Sequence, residues 1–177
     1  MMTEQKFKQS NHRNKIAGNY IPATFSFIIL VFIDQFVKYL VDSHIPLYES
    51  VEILPDIFEL RYIQNPGAAW GVLKDKQYLF IICTVIVLVI GVIFYHRCVK
   101  KNVFRDIRIY TIIILAGAVG NMIDRIRYQY VIDYFYFKLI DFPVFNIADC
   151  YVTVGFALLL ISILFKYKEQ DFDVLKN

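Results

Sequence analysis

The feature that most constrains this chain is the run Tyr78 to Tyr95, 18 residues without a charged side chain. A helix rises about 1.5 Å per residue, so this run is long enough to cross most of a hydrocarbon core about 30 Å thick. Apolar segments recur at about residues 21–41, 109–125 and 148–165. With 58% hydrophobic and 20% charged residues in 177, the chain is predicted to use the bilayer as its solvent. We predict an all-α integral membrane protein with four transmembrane helices at residues 21–41, 78–95, 109–125 and 148–165.

The distribution of lysine and arginine predicts how these helices are oriented. Twelve of the nineteen lie in the segment before the first span, in the connection between the second and third, and after the fourth. Cytoplasmic loops retain positive charge, so both termini are expected in the cytoplasm. Residues 42–77 and 126–147 are then the outer loops, and residues 1–177 form a single membrane domain.

The two outer loops carry different patterns. The stretch Ile57 to Ile63 is rich in aliphatic and aromatic residues and predicts a small extracytoplasmic β element. Residues 126–147 are dense in aromatic side chains, which prefer the headgroup level of a membrane. We expect this second loop to lie along the membrane face as a surface helix or loop.

Several functions are not supported. The three histidines are scattered without a metal-ligand spacing such as HExxH, and the three cysteines include no CxxC pair. No GxSxG serine motif is present. A net charge of +3 is too small to indicate nucleic-acid binding.

Charged groups within the membrane cost free energy, so each of them needs a structural or functional explanation. Asp34 and Lys38 are four residues apart on one helix face, which favours an ion pair that orients the first span or a group that contacts substrate. Asn121 and Asp124 share a face at the end of the third span, as a polar clamp or as part of a site. Arg125 follows them.

The remaining polar candidates lie at the outer boundary. Asn65 and Gly67 flank a proline and predict a turn. Asn146 is placed to cap the last helix, with Asp149 in its first turn. Taken singly, Asp149 is a partner of the helix dipole and Asp133 a loop residue; together they are the leading candidates for an acid and base pair.

These residues fall into five ordered blocks that resemble the signature blocks of the bacterial lipoprotein signal peptidases. The blocks are Asp34-Gln35-x-x-Lys38, Asn65-x-Gly67-Ala68-Ala69-Trp70, Gly120-Asn121-x-x-Asp124-Arg125, Val131-x-Asp133 and Phe145-Asn146-x-Ala148-Asp149. The chain departs from the family pattern at Ala116 and Gln129, where glycine is usual, and at Tyr134, where phenylalanine is usual.

The resemblance implies an aspartic endopeptidase, signal peptidase II, with an extracytoplasmic β-cradle and a mobile periplasmic helix. Its substrate would be a prolipoprotein with a diacylglyceryl-modified cysteine, cut on the amino side of that cysteine. Asp133 and Asp149 correspond to the catalytic pair. The supporting positions correspond to Asp34, Lys38, Asn65, Gly67, Asn121, Asp124, Arg125, Asn146 and Ala148.

The same resemblance implies a monomer in the bacterial cytoplasmic (inner) membrane, with the active site at the outer face and contacts with membrane lipid. No metal or organic cofactor is expected, and cyclic peptides of the globomycin type are candidate inhibitors. A small transporter or ion-conducting protein is the alternative, since intramembrane carboxylates also mark ion paths. A non-catalytic membrane scaffold is a third.

Overall fold

The computed structural model describes residues 2–67 and 77–176, with side chains from residue 18 onward. Four helices are present: α1 (Met2–His44), α2 (Gln77–Lys101), α3 (Arg105–Tyr128) and α4 (Ile147–Phe165). Each contains a stretch long and apolar enough to cross a membrane, and α2 has the highest mean hydropathy, 2.8. The predicted four-helix membrane fold is confirmed. Every helix extends beyond the apolar segment that predicted it.

Helix α3 occupies the centre of the bundle and packs against α1, α2 and α4. Small residues make its contact with α4 close. A methyl group at Gly117 would collide with the carbonyl oxygen of Ala148, and one at Gly120 would collide with Oδ2 of Asp34 and touch the Ala148 side chain. Ala148 is fully buried in this contact. The close approach of two backbones in a membrane depends on such small residues.

A three-stranded antiparallel sheet, ordered β1-β2-β3, covers one end of the bundle, which we call the sheet end. The strands are β1 (Ser50–Leu54), β2 (Phe58–Asn65) and β3 (Val131–Tyr136). The β element predicted in the first outer loop is therefore present. A buried cluster, formed by Val41, Ile45, Tyr62, Ile132 and Tyr134, fixes the sheet to the end of α1.

The second outer loop differs in detail from its prediction. Its first part is strand β3, and its helical part is only the 3₁₀ turn Lys138–Ile140. Asp133 is therefore a strand residue and not a loop residue. Aromatic and β-branched side chains favour strands as well as interfaces, and pairing with β2 satisfies the main-chain groups of residues 131–136.

The other end of the bundle, which we call the α2–α3 end, holds the connection between α2 and α3. Cys98, Phe104 and Ile107 form a buried cluster there, against which the C-terminal residues Tyr167, Phe172 and Leu175 pack. The start of the α1 span is at this end too, since the Tyr20 hydroxyl lies 2.6 Å from Nδ1 of His96. Among the described side chains, most basic residues therefore lie at the end opposite the sheet.

Candidate active site

Asp133 and Asp149 are brought together by one residue, Asn146. The side-chain Nδ2 of Asn146 donates to Oδ1 of Asp133 at 2.7 Å, and its main-chain N donates to Oδ2 of Asp149 at 3.1 Å. Asp133 is 3% exposed and Asp149 is half-buried. The two carboxylates thus lie at the same end of the bundle, where β3 meets the start of α4.

Local sequence explains the position of Asn146. It is the N-cap of α4, and its Oδ1 accepts from the main-chain N of Asp149 at 3.0 Å while the Asp149 carboxylate accepts in return. This reciprocal pair is a capping box, so the predicted cap is confirmed. The preceding residue, Phe145, is hydrogen-bonded to Phe135 of β3. That bridge holds the start of α4 against the strand that carries Asp133.

Two further asparagines hold the carboxylates. Nδ2 of Asn65 donates to Oδ2 of Asp133 at 2.8 Å, and Nδ2 of Asn121 donates to Oδ1 of Asp149 at 2.7 Å. Residue 63 of β2 pairs with Asp133, so Asn65 reaches it diagonally from the same strand face. Amide groups stabilise carboxylates without adding charge to the site.

A buried charge cluster lies directly beneath the pair. Nζ of Lys38 is 3.0 Å from Oδ2 of Asp34, 2.8 Å from Oδ2 of Asp124 and 2.8 Å from Oδ1 of Asn121. The three protons of the ammonium group thus have three acceptors. The predicted pair of Asp34 and Lys38 is present, and it is one side of a larger cluster. Because Asn121 accepts from Lys38, its Nδ2 is turned toward Asp149.

The cluster is also hydrogen-bonded to β3, the strand that carries Asp133. Oδ2 of Asp124 accepts from the main-chain N of Ile132, the residue before Asp133, at 3.2 Å. Nε2 of Gln35 donates to Oδ1 of Asp124 at 2.9 Å and to the carbonyl of Gly120 at 3.1 Å. These bonds join α1, α3 and β3 at one point. The position of Asp133 therefore depends on residues from three elements.

The environment of Asp133 changes its acidity. Burial, and after it the charge of Asp149, together raise the pKa of the Asp133 carboxyl to about 7, against the opposing hydrogen bonds from Asn65 and Asn146. A carboxyl group removed from water and close to a second carboxylate favours its protonated form. The Asp133 carboxyl is therefore partly protonated near neutral pH.

A groove between α2, α3 and α4, with a volume of about 340 Å³, opens beside Asp149. We call it the Asp149 groove. Arg125 lines it, donating to the Asn121 carbonyl at 3.1 Å while its guanidinium lies 4.8 Å from the Phe80 ring centroid. The buried Nε of Arg125 has no hydrogen-bond partner among the described atoms. The groove thus combines apolar walls with a carboxylate and a guanidinium.

Gly67, another predicted position, is explained by its backbone conformation and by packing. Gly67 has a φ of 87° and a methyl group there would lie 2.6 Å from Phe80, so both conformation and space require glycine. Ala68, Ala69 and Trp70 lie outside the described residues. Among the described side chains, those of residues 18–67 and 77–176, no group of three or more His, Cys, Asp or Glu could hold a metal ion.

Sequence reasoning missed several residues. Gln35 was seen beside Asp34 but its bond to Asp124 was not predicted, and the groove residues of α2 and α4 were not singled out. The available signal was weak: Thr84 and Thr153 are hydroxyl residues in otherwise apolar helices, and both line the Asp149 groove. The tyrosine at 134 has a role as well, because its hydroxyl accepts from the main-chain N of Ile147 at 3.2 Å.

Sequence comparison gives one family. Residues 26–165 match the family model described as signal peptidase (SPase) II. A lipoprotein signal peptidase of Streptococcus pyogenes serotype M1 is 42% identical over 149 residues, which cover 83% of this chain and 93% of that protein. A lipoprotein signal peptidase from the serotype M5 strain Manfredo is 41% identical over the same length and shares of the chains.

Solved structures give the same architecture. A bacterial membrane enzyme structure determined at 2.3 Å resolution superposes with a TM-score of 0.74 at 33% identity, covering 84% of this chain and 92% of that one. A second, at 1.9 Å resolution, gives a TM-score of 0.73 at 31% identity, covering 82% and 94%.

Proposed function

The chain belongs to the signal peptidase II family, the lipoprotein signal peptidases, and from that premise we propose that it is an aspartic peptidase with Asp133 and Asp149 as its catalytic pair. As a member of this family it is a multi-pass membrane protease that removes signal peptides from prolipoproteins. The transporter alternative is not favoured, because the curated relatives that match most of this chain are lipoprotein signal peptidases.

The observation that carries the catalytic proposal is the arrangement at Asn146. One residue donates a hydrogen bond to each carboxylate, which supports a common site for the two groups. Two carboxylates in a poorly solvated site do not both ionise readily, and the pair holds one shared proton over a wide pH range. Such a pair supplies both the base and the acid that peptide hydrolysis requires.

The steps follow from the raised pKa of Asp133. The ionised carboxylate of Asp149 takes a proton from water as the water oxygen attacks the scissile carbonyl carbon. Protonated Asp133 donates to the carbonyl oxygen, which gives a tetrahedral diol. When the C–N bond breaks, the proton on Asp149 passes to the leaving nitrogen and Asp133 recovers its own proton. No metal or cofactor takes part in this scheme.

The other candidate residues position this pair or its substrate. Lys38, Asp34 and Asp124 orient Asn121 and β3, and Asn65 holds Asp133 from β2. Arg125 in the Asp149 groove is placed to bind a carbonyl of the substrate peptide. Gly67 and Ala148 allow the close contacts on which the site depends.

We propose that the substrate cysteine carries diacylglycerol and that cleavage occurs on its amino side. Its acyl chains would stay in lipid while the signal segment enters the Asp149 groove from the membrane. The basic α2–α3 end and both termini are assigned to the cytoplasm, and the sheet end to the outer face of the inner membrane. The proposed active unit is a monomer, and globomycin-type peptides would compete at the same groove.

Lipid dependence gives the first prediction. Detergent-solubilised protein should cleave a diacylglyceryl-modified precursor, and cleave its unlipidated form with a kcat/KM at least about 100-fold lower, because each buried CH₂ group contributes roughly 0.8 kcal/mol. Mass spectrometry of the products measures both rates and the cut position. Equal rates would contradict the lipid requirement, and no cleavage of either precursor would contradict the assigned function.

The pKa of Asp133 gives the second prediction. If protonated Asp133 is the acid, kcat/KM should fall as pH rises through about 7, since the proton is lost there, and should fall again at low pH when the pair takes up a second proton. The profile is therefore a bell. Activity that rises through pH 7 would reverse the roles of the two aspartates.

A substitution of Asn65 should move the alkaline limb of the pH profile in a predictable direction. The Asn65 amide lowers the pKa of Asp133, so Asn65→Ala should shift the alkaline limb to higher pH. The matched control is Gln64→Ala, because the Gln64 amide donates to Tyr62 and Tyr130 and not to the pair. A limb that stays in place in Asn65→Ala, or moves equally in both variants, would contradict the assignment to Asp133.

A further inference from the structure

A second polar site lies at the α2–α3 end, away from the catalytic pair. A groove of about 540 Å³ runs there between α1 and α3, and we call it the Arg108 groove. Its polar end is formed by Asn19, Tyr95, Arg105 and Arg108. Its walls are apolar and include Ala23, Leu30, Ile109, Ile112 and Ile113.

Arg108 is unusual among the basic residues of the bundle. It is only 7% exposed, and its NH1 donates to Oδ1 of Asn19 at 3.0 Å. Within the part of the chain whose side chains are described, neither Arg108 nor Arg105 forms an ion pair with a carboxylate. The buried Lys38, in contrast, has two carboxylate partners. A buried cation that has no carboxylate partner among the described side chains is costly in a membrane protein, so this end of the groove favours an anion.

The shape of the site indicates which anion. A neighbouring, mostly apolar groove of about 660 Å³ lies between α1 and α2 and shares Ala23, Tyr95 and Ile112 with the first. The two grooves therefore adjoin, with one shared wall residue from each of α1, α2 and α3. A small soluble anion would occupy only the arginine end and leave the apolar walls of both grooves unfilled. A molecule with one anionic group and two apolar chains matches both parts.

We propose that the Arg108 groove binds one anionic phospholipid, with its phosphodiester group at Arg105 and Arg108 and its acyl chains along the two adjoining grooves. The site lies where the start of the α1 span approaches α2 and α3, at the depth of the headgroups of that leaflet. Basic pockets between membrane helices are suited to acidic headgroups, because the charge attraction adds to the burial of the chains. The proposal does not depend on the catalytic assignment.

Native mass spectrometry of the full-length protein in mild detergent tests it. Titration with phosphatidylglycerol should saturate at one tightly held lipid, with an affinity about tenfold or more above that for phosphatidylcholine of the same chains, and tenfold corresponds to about 1.4 kcal/mol. Arg108→Gln and Arg105→Gln should each weaken phosphatidylglycerol about tenfold. Lys101→Gln is the matched control, because it removes one exposed charge at the same end without lining the groove.

Two further variants separate the proposal from its alternatives. Ser26→Trp fills the groove without changing charge and should also weaken phosphatidylglycerol; Ser26 and Arg105 are exposed, so neither change threatens folding. Glycerophosphoglycerol, the headgroup without chains, should not displace the lipid. Unchanged lipid affinity in Arg105→Gln and Ser26→Trp, equal retention of phosphatidylcholine, or displacement by the soluble headgroup would each overturn the proposal.

Discussion

Asp133→Asn and Asp149→Asn are each expected to lower kcat on a lipidated precursor by about 10³-fold or more. Asparagine keeps the shape of the side chain but neither takes up nor donates the proton that the reaction needs, and proton transfer by a positioned side chain contributes about 10²- to 10⁴-fold. The double variant should be little worse than either single one, because the two carboxylates act as a unit. Single-turnover cleavage of purified variants measures the loss.

The matched control is Asp141→Asn. Asp141 lies in the same outer loop, is exposed and has a φ of 46°, a conformation that asparagine also adopts. The Asp141→Asn variant should cleave the lipidated precursor at nearly the wild-type rate. The variants at Asp133 and Asp149 should still bind the lipidated precursor, since asparagine keeps the shape of the Asp149 groove. A single variant at Asp133 or Asp149 that keeps more than about a tenth of kcat would remove that residue from the catalytic pair.

Lys38→Met is expected to produce the largest loss of stability. The change leaves Asp34 and Asp124 buried without their cation, and removing one partner of a buried ion pair costs about 3 to 5 kcal/mol. The free energy of unfolding can be followed in mixed detergent and SDS micelles. Activity should fall as well, because Asn121 loses the donor that turns its amide toward Asp149.

Two variants make this result specific. Asp34→Asn leaves Lys38 paired with Asp124, so its free energy of unfolding should fall by less than that of Lys38→Met. Lys138→Met removes an exposed pair with Asp56 and should change stability by less than about 1 kcal/mol. Equal losses in Lys38→Met and Lys138→Met would mean that the buried cluster does not stabilise the bundle.

The sequence predicted those parts of the molecule that depend on local pattern. Long apolar runs predicted four helices, the four-residue spacing predicted the contact of Asp34 with Lys38, and an asparagine three residues before an acidic residue predicted the cap of α4. Each of these depends on residues within one or two helical turns. These features can therefore be predicted without knowledge of the tertiary fold.

The contacts that complete the site were not predictable in this way. Asp124 and Lys38 form an ion pair although they are 86 positions apart in the sequence. No sequence periodicity predicts a contact over such a separation. Strand β3 was taken for a surface segment because its aromatic residues suit an interface as well as a sheet. The Asp149 and Arg108 grooves arise from gaps between helices, and these gaps depend on how small residues such as Gly117 set the packing of α3.

Asn146 both starts α4 and holds the two carboxylates, which has a consequence for biosynthesis. The spans enter the membrane in chain order, and the asparagine that aligns the two acids arrives with the last of them. Under the proposed assignment of the catalytic pair, a chain whose last span has not yet inserted lacks both Asn146 and Asp149 at the site and so has no competent hydrolytic centre.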